Sequence, residues 1–374
     1  VTTTPRYLDV HVLQTVPFAN LNRDDLGSPK SLVYGGATRT RVSSQCWKRV
    51  VRLDVERAIG DPAVRTRRVP AEVAARLQDR GWTEDAALAA GAQIALSANK
   101  KEGLKLEDKG GTSVLLYLPK AALDALGDLA EQHREAIEQT VGVKKPKSVL
   151  PVEEVAAVLS ERNGVINLFG RMLAELPGAG VDGVVQVAHA FTTHEVAPEI
   201  DFFTAVDDCL PEDAVGSGHM NSAEFSAGVF YRYASLDLNG LSKNLDGDAA
   251  MARELTGEFL RAFVSSLPTG KQTSSAANTL PDLVHVVVRS DRPISFAAAF
   301  EAPVRPEHGI AAPSRRQLAH HAGRLEKLWG TTGVVHRGYA CVDDKPLDGL
   351  GAPVDSFAEL IDGAVTAAHR ETSA

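Results

Sequence analysis

The sequence predicts an α+β fold, a sheet core carrying a large helical insertion. Three observations predict it. Segments of strand character lie far apart along the chain, at residues 8–12, 183–191, 228–238, 283–288 and 334–342. The block from 60 to 170 reads mainly as helical. A long polar excursion separates the second and third strand segments, as a projecting hairpin or loop would.

The first strand is carried by Leu8, Val10 and Val12, which alternate with Asp9 and His11 at a period of two. A polar loop follows from Asn20 to Lys30 and runs towards the Gly35–Gly36 pair. Ser43 and Ser44 are N-cap candidates for a helix that reaches about Ile59. Trp47, Val50, Val51, Val55 and Ala58 share its apolar face, while Gln45, Lys48, Arg49 and Arg52 share the opposite one. The helical block offers Ala71–Arg80, Glu84–Ala98, Lys120–Val141 and Val152–Leu159. Two basic loops interrupt it, around Lys100, Lys101, Lys105 and Lys109, and at Lys144, Lys145 and Lys147. Strand character returns at Gly183–Phe191 and again at Gly228–Leu238, where Val229, Phe230, Tyr231 and Tyr233 favour a pleated surface. A helix over Ala249–Ser266, a buried strand over Leu283–Val288, helices over Pro313–Leu328 and Asp355–His369 and a strand over Val334–Val342 complete the chain.

The 374 residues exceed one minimal domain and are 44% hydrophobic, enough for a real core in each of two lobes. No apolar run reaches the roughly 20 residues of a membrane helix, and Val1–Arg6 does not read as a signal peptide. Cys46, Cys209 and Cys341 form no CxxC pair, so a reduced, cytoplasmic protein is expected, with no membrane partner. The net charge of −8 argues against a polyanion partner until its distribution is considered. Seven basic residues face two acids between Lys30 and Arg57, whereas Val187–Phe225 holds eight acids and no Lys or Arg. Such polarity suits a chain that binds a polyanion locally and packs its acidic part elsewhere; two solvated faces explain it as well.

Individual motifs say less. Lys48 and Arg52, at i and i+4 with Arg49 beside them, form a cationic ridge able to follow phosphates, or an ordinary solvated surface. In Asn22-Arg23-Asp24-Asp25, Arg23 suits a phosphate with the acids orienting it, or a local ion pair in an Asx-rich turn. Gly35–Gly36 reads best as a tight turn, because neither a P-loop nor a dinucleotide fingerprint surrounds it. His189, His194, Asp201, Asp207, Asp208 and His219 supply the residue types of a metal-dependent nuclease without a recognised ligand spacing. That cluster, at 189–219, is the catalytic alternative; a solvated acidic hairpin is the preferred reading. No GxSxG elbow and no RRM signature are present. Phe202 and Phe203 stand out as apolar residues inside the polar excursion.

Longer blocks carry more. LDVHVLQTVPFANLNRDD and YGGATRTRVSSQCWKRVVR resemble the N-terminal signature of the type I-E CRISPR Cascade backbone subunit, the CasC family. The similarity resumes at NLFGRMLAELPGAGVDGVVQVAHAFTTHEVAPEIDFFTAVDD and SAEFSAGVFYRYASLDL, and more weakly at PTGKQTSSAANTLPDL. Together the blocks cover about half the chain in family order.

The resemblance implies a right-hand architecture: a ferredoxin-like (RRM-like) palm, a helical fingers insertion and a protruding β-hairpin thumb. The palm then takes residues 1–59, the fingers 60–180, palm strands with the thumb (about 192–225) 181–240, and the rest of the palm 241–374. It implies a non-catalytic CRISPR RNA-binding subunit that works without metal or cofactor in antiviral defence. Several copies, about six, stack head to tail along the guide, and each thumb displaces a base while the others stay free to pair with the target DNA strand. Other implied partners are the large, small, 5′-end cap and 3′-end guide-processing subunits and a recruited helicase-nuclease. Carried over residue by residue, Lys30, Lys48, Arg49 and Arg52 fall in the RNA-contacting region, with Arg23 and Lys271 as further contacts. Met172 matches an apolar residue near the kinked nucleotide, and Phe202, Phe203 and Val206 match the apolar positions of the thumb.

Overall fold

The computed structural model describes residues 4–370 apart from 102, 108–109, 177, 206–218, 307 and 344. In chain order the elements are β1 (Tyr7–Ala19), β2 (Ser31–Tyr34), β3 (Ala37–Val42), α1 (Ser44–Ile59), β4 (Ala63–Thr66), α2 (Val69–Asp79), α3 (Glu84–Leu96) and β5 (Leu116–Pro119). There follow α4 (Ala122–Gln132), α5 (Arg134–Glu138), α6 (Val152–Ser160), α7 (Gly164–Phe169), β6 (Val185–Val187), β7 (Ala190–Thr192), β8 (Glu199–Ala205) and β9 (His219–Asp237). The last are α8 (Leu238–Asn244), α9 (Ala249–Ser265), α10 (Gln272–Ser275), β10 (Leu283–Arg289), α11 (Ala311–Trp329), β11 (Val334–Cys341), β12 (Ala352–Pro353) and α12 (Phe357–Ala368). The chain divides into two compact units: 1–54 with 185–242 and 248–374, and 55–184 with 243–247.

The first unit is built on a ten-stranded mixed sheet, ordered β12-β11-β10-β1-β9-β7-β3-β2, with β6 and β8 also paired to β9. Within it, β10-β1-β9-β7 are antiparallel neighbours. The chain visits them as β1, α1, β7, β9, α9, β10. Alternation along the strands separates two cores. Leu13, Tyr231 and Leu283 point to the face covered by Leu318, Ala319 and Ala322 of α11. Val16, Val42 and Phe230 point to the other face, against Trp47 of α1. Arg232 also lies on that second face, between the rings of Trp47 and Phe263 of α9.

The second unit holds the β4–β5 ribbon and helices α2–α7 around Leu77, Trp82, Ala90, Ile94, Leu118 and Leu126. Thr83 caps α3 by accepting a hydrogen bond from the Ala86 N–H. The stretch read as one helix over Lys120–Val141 is two, because the chain turns at His133.

Other differences have simple causes. Gly35 and Gly36, both at positive φ (60° and 75°), make a two-residue hairpin turn between β2 and β3, and Tyr34 pairs with Ala37. β3 escapes the sequence because ATRTRV sets four polar residues in a row between its two apolar ones, and β2 because SLVY is only four residues long. The expected strand from 228 begins at His219, since its outer half pairs only with β8, and the side chains described there are exposed or half-buried. The first residues of α1 face as expected: Trp47, Val51 and Val55 are buried, but Ala58 is exposed and does not belong to the apolar face.

Candidate nucleic-acid interface

Asn22 organises the surface in front of α1. Its carbonyl accepts from the Lys30 N–H at 2.9 Å, and its Oδ1 accepts from the Ser43 N–H at 2.8 Å. Ser43 in turn caps α1, accepting at Oγ from the Cys46 N–H at 3.3 Å. One asparagine therefore ties the loop that carries Lys30 to the start of the basic helix. Asp24 closes the loop itself: its Oδ1 accepts from the N–H groups of Leu26 and Ser28, both at 2.9 Å. This oxygen shapes the turn instead of orienting Arg23, whose side chain is exposed.

The result is a concentration of like charge. Arg41 Nη1 lies 3.4 Å from His189 Nδ1. Burial, then Arg41, then Lys30 hold the His189 imidazole below its ordinary pKa, so both cations lie near the ring. On the far side, burial raises the Cys46 thiol while Arg49 and Lys30 pull it back. Lys30 thus sits electrostatically between Arg41 with His189 and Arg49. Arg49 is exposed and Lys48 and Arg52 are half-buried on the same helix. Cations assembled this way repel each other, a cost that a bound polyanion would reverse.

A second loop joins at the root of the β8–β9 hairpin. Gly270 lies so close to the loop at Asn20 and Leu21 that a Cβ would come within 2.5 Å of the Leu21 carbonyl oxygen and 2.7 Å of that of Asn20. Asn20 Nδ2 donates to Glu224 O at 2.9 Å, which ties the same loop to β9. Lys271 then places its Nζ 5.1 Å from the centre of the Phe225 ring, a cation–π contact. Beyond this root the hairpin extends with Glu199 paired to Phe225 and Ala205 paired to His219. Phe202 is 71% exposed and Phe203 47%; they face opposite sides, and Ile200 shares the side of Phe202. Val206, Asp207, Asp208 and Cys209 lie outside the described residues.

Met172 belongs to the other unit and is 95% exposed. Its neighbour explains how an apolar residue is held in the open. The buried Arg171 guanidinium donates to the carbonyl oxygens of Ala179, Tyr117, Glu161 and Ser160 at 2.6–3.1 Å, and to Leu159 at 3.5 Å. A cation that collects carbonyls from three segments makes the backbone under Met172 rigid.

Sequence reasoning missed Arg41, His189, Asn22 and Ile200 as parts of this surface. Arg41 and Asn22 lay inside the blocks already singled out, but only the pairing of β3 with β7 brings His189 to them. The residues proposed for a nuclease do not converge among those described. His189 faces cations, and His194 has Nδ1 2.9 Å from Glu195 O while Nε2 accepts from the Val229 N–H. Among the described residues no group of three or more His, Cys, Asp or Glu could hold a metal. No helix described is long and apolar enough to cross a membrane.

Comparison with known proteins follows the same lines. The model of the CT1975-like protein family matches residues 8–363. The chain belongs to the CT1975-like family. Chains of known structure superpose on it almost end to end. A chain of a "CRISPR RNA-guided surveillance complex, pre-nicking" is 52% identical with a TM-score of 0.93, covering 97% of this chain and 100% of that one. A chain of another "CRISPR RNA-guided surveillance complex" is 46% identical with a TM-score of 0.83, covering 96% and 99%. No curated protein matches at a significant level. The resemblance read from the sequence blocks thus extends, within the CT1975-like family, well beyond the half of the chain those blocks cover.

Proposed function

We propose that this chain is a CRISPR RNA-binding backbone subunit of a type I-E surveillance complex, without an active site of its own. The observation that carries the reading is the cluster Lys30–Arg41–Arg49 with His189, set at the root of an exposed hairpin. It offers repelling cations and backbone-organised loops to a polyanion. The 52% identity to a chain of an RNA-guided complex supports RNA as that polyanion.

In this reading the guide's phosphates run over Lys30, Lys48, Arg49 and Arg52, with Arg23 and Lys271 at the margins. Phe202 and Phe203, extended by Ile200 and Val206, form the apolar wedge of a thumb that displaces one base at intervals, and Met172 contacts the displaced nucleotide of a guide–subunit array. The palm is ferredoxin-like; the β10-β1-β9-β7 order, visited as β1-α1-β7-β9-α9-β10, supports that assignment. Copies of the chain stack head to tail in the cytoplasm, with the acidic thumb facing the basic surface of the next copy, alongside the other Cascade subunits. Bases not displaced pair with the target DNA strand, so sequence is read by pairing while the protein holds the backbone.

The test is guide-RNA binding across a salt series, beside a Lys48→Ala/Arg52→Ala variant. Single-strand phosphate contacts give a log–log slope of roughly −0.7 per contact, so the variant's slope should be shallower by about one unit or more. RNA that joins neither the chain nor its assembly with the other subunits would overturn the proposal.

A further inference from the structure

The face of the sheet opposite α1 carries its own cationic surface, which the reading above leaves without a task. On α11, Arg315, Leu318, Ala319 and Ala322 are buried, and Arg315 is held by Asp343 through two hydrogen bonds of 2.7 Å. The outward stripe of the same helix is Arg316, His320 and Arg324, spaced i, i+4, i+8, so each is about 6 Å further along the axis. With Arg305 these residues line one groove, whose floor includes Val304 and Leu325, and no Asp or Glu lines it among the described residues. Together with burial, His320 and Arg324 hold His321 below its ordinary pKa, which places the charges close together.

The groove continues into a second cavity through Leu325 and Leu328, which line both. There Leu328 is 83% exposed and Trp329 60%. The Trp329 ring is anchored, since its Nε1 donates to Asp291 Oδ2 at 3.1 Å, and Asp291 is in turn paired with Arg289 at 3.0 Å. Glu326, the acid that lines this cavity among the described residues, is paired with Arg337. Arg292 stands on the rim, exposed. A row of cations that ends in a fixed, exposed indole is the combination by which single strands are held: charge follows the backbone and the ring takes a base. An acidic protein segment would use the cations, but it would not call for the indole.

We infer that the α11 face is a second binding surface for single-stranded nucleic acid, separate from the patch assigned to the guide. From Arg316 to Trp329 it runs about 20 Å along the helix, room for roughly three or four nucleotides. The backbone lies along Arg305, Arg316 and Arg324, and one base stacks on Trp329. A chain that holds a guide at the Lys30–Arg49 patch can thereby hold another strand along α11.

The test uses the full chain saturated with guide RNA, and fluorescent oligothymidylate or oligouridylate of about ten nucleotides as probe. Two variants are compared with it: Arg305→Glu/Arg324→Glu, and Trp329→Ala, all at exposed positions. The charge reversal should weaken probe binding at least tenfold and Trp329→Ala about fivefold or more, the range for one base–aromatic stack. Guide affinity and the thermal midpoint should not move. The two probes separate DNA from RNA as the natural strand. The same titration in a Lys30→Ala/Arg49→Ala background keeps the result readable if guide binding itself fails. Probe that displaces the guide, or binding indifferent to both variants, would overturn the inference. So would a charge reversal that spares the probe but abolishes association with other protein copies, which would make the groove a protein-docking surface.

Discussion

Arg171 and the Lys30–Arg41–Arg49 patch show the same kind of charge put to opposite uses. Arg171 is buried and surrounded by five carbonyl oxygens from its own unit. Arg39 is similar, donating to the carbonyls of Thr192, Phe300 and Glu301. So is Arg232, which burial pushes down to about 9 and which donates to Gln14 and to the Phe263 carbonyl. In the patch, by contrast, Arg41 gives one 3.3 Å bond to the Ser31 carbonyl and otherwise stands beside His189, with Lys30 and Arg49 adding like charge. A guanidinium surrounded by carbonyls holds the fold; one set mainly among guanidinium, ammonium and imidazole groups gains most from an anionic ligand. The basic residues of a chain like this one must therefore be sorted by their neighbours before any is counted as an RNA contact.

The comparison breaks first at Arg171. Arg171→Ala leaves five carbonyls without their donor and should cost roughly 3–5 kcal/mol, seen as early loss of the helical unit in urea unfolding. An unchanged midpoint would mean the cluster is incidental. At the patch the expectation is reversed. Lys30→Ala/Arg49→Ala should leave the unfolding free energy within about 0.5 kcal/mol and lower RNA affinity, with a salt slope shallower by about 1.4 if both contact phosphate. Unaltered binding would remove these two residues from the interface.

Asp9 sharpens the same contrast for a carboxylate. It is buried, accepts from the Ile294 N–H and the Tyr233 hydroxyl, and burial pushes its pKa up to about 6. Because the folded value is raised above 3.8, its contribution to stability is full below pH 3.8 and is lost as pH rises through about 6, a difference of about 3 kcal/mol. His285, pushed down to about 4 by burial, acts in the opposite sense: its contribution holds above 6.5 and is lost as pH falls towards 4. Asp9→Asn should therefore make stability fall more steeply between pH 7 and 4.5 than in the parent, measured as urea midpoints at the two values. Parallel profiles would show that Asp9 does not titrate in this window. The smallest effect is expected at Asp24. Asp24→Ala removes the acceptor of two N–H groups in the Lys30 loop and should cost about 1 kcal/mol at most, while weakening RNA binding two- to fivefold through a looser loop.

Much of this was legible in the sequence. Period-two alternation at Leu8–Val12 marks β1, and the apolar run Leu283–Val288 marks β10. In the 60–170 block α2, α3, α4 and α6 begin within about two residues of their expected positions, because capping and i, i+4 patterning are local, whereas α7 and the β4–β5 ribbon were not expected there. Helix α1 and its basic face, with Arg49 outward and Trp47 inward, also follow from local spacing.

What the sequence determined by itself is the class of fold, the separation of basic from acidic segments, and the family, since each resides in residues near one another along the chain or in blocks long enough to be specific. What only the tertiary structure decided is which charges belong to the fold. Arg39 and Arg41 are two residues apart in one β-strand, yet the first is fully buried among carbonyls and the second stands beside His189. His189 reaches Arg41 from 148 positions away because β7 pairs with β3. Burial and long-range pairing set the surroundings of a charge, and neither is encoded in the spacing of its immediate neighbours.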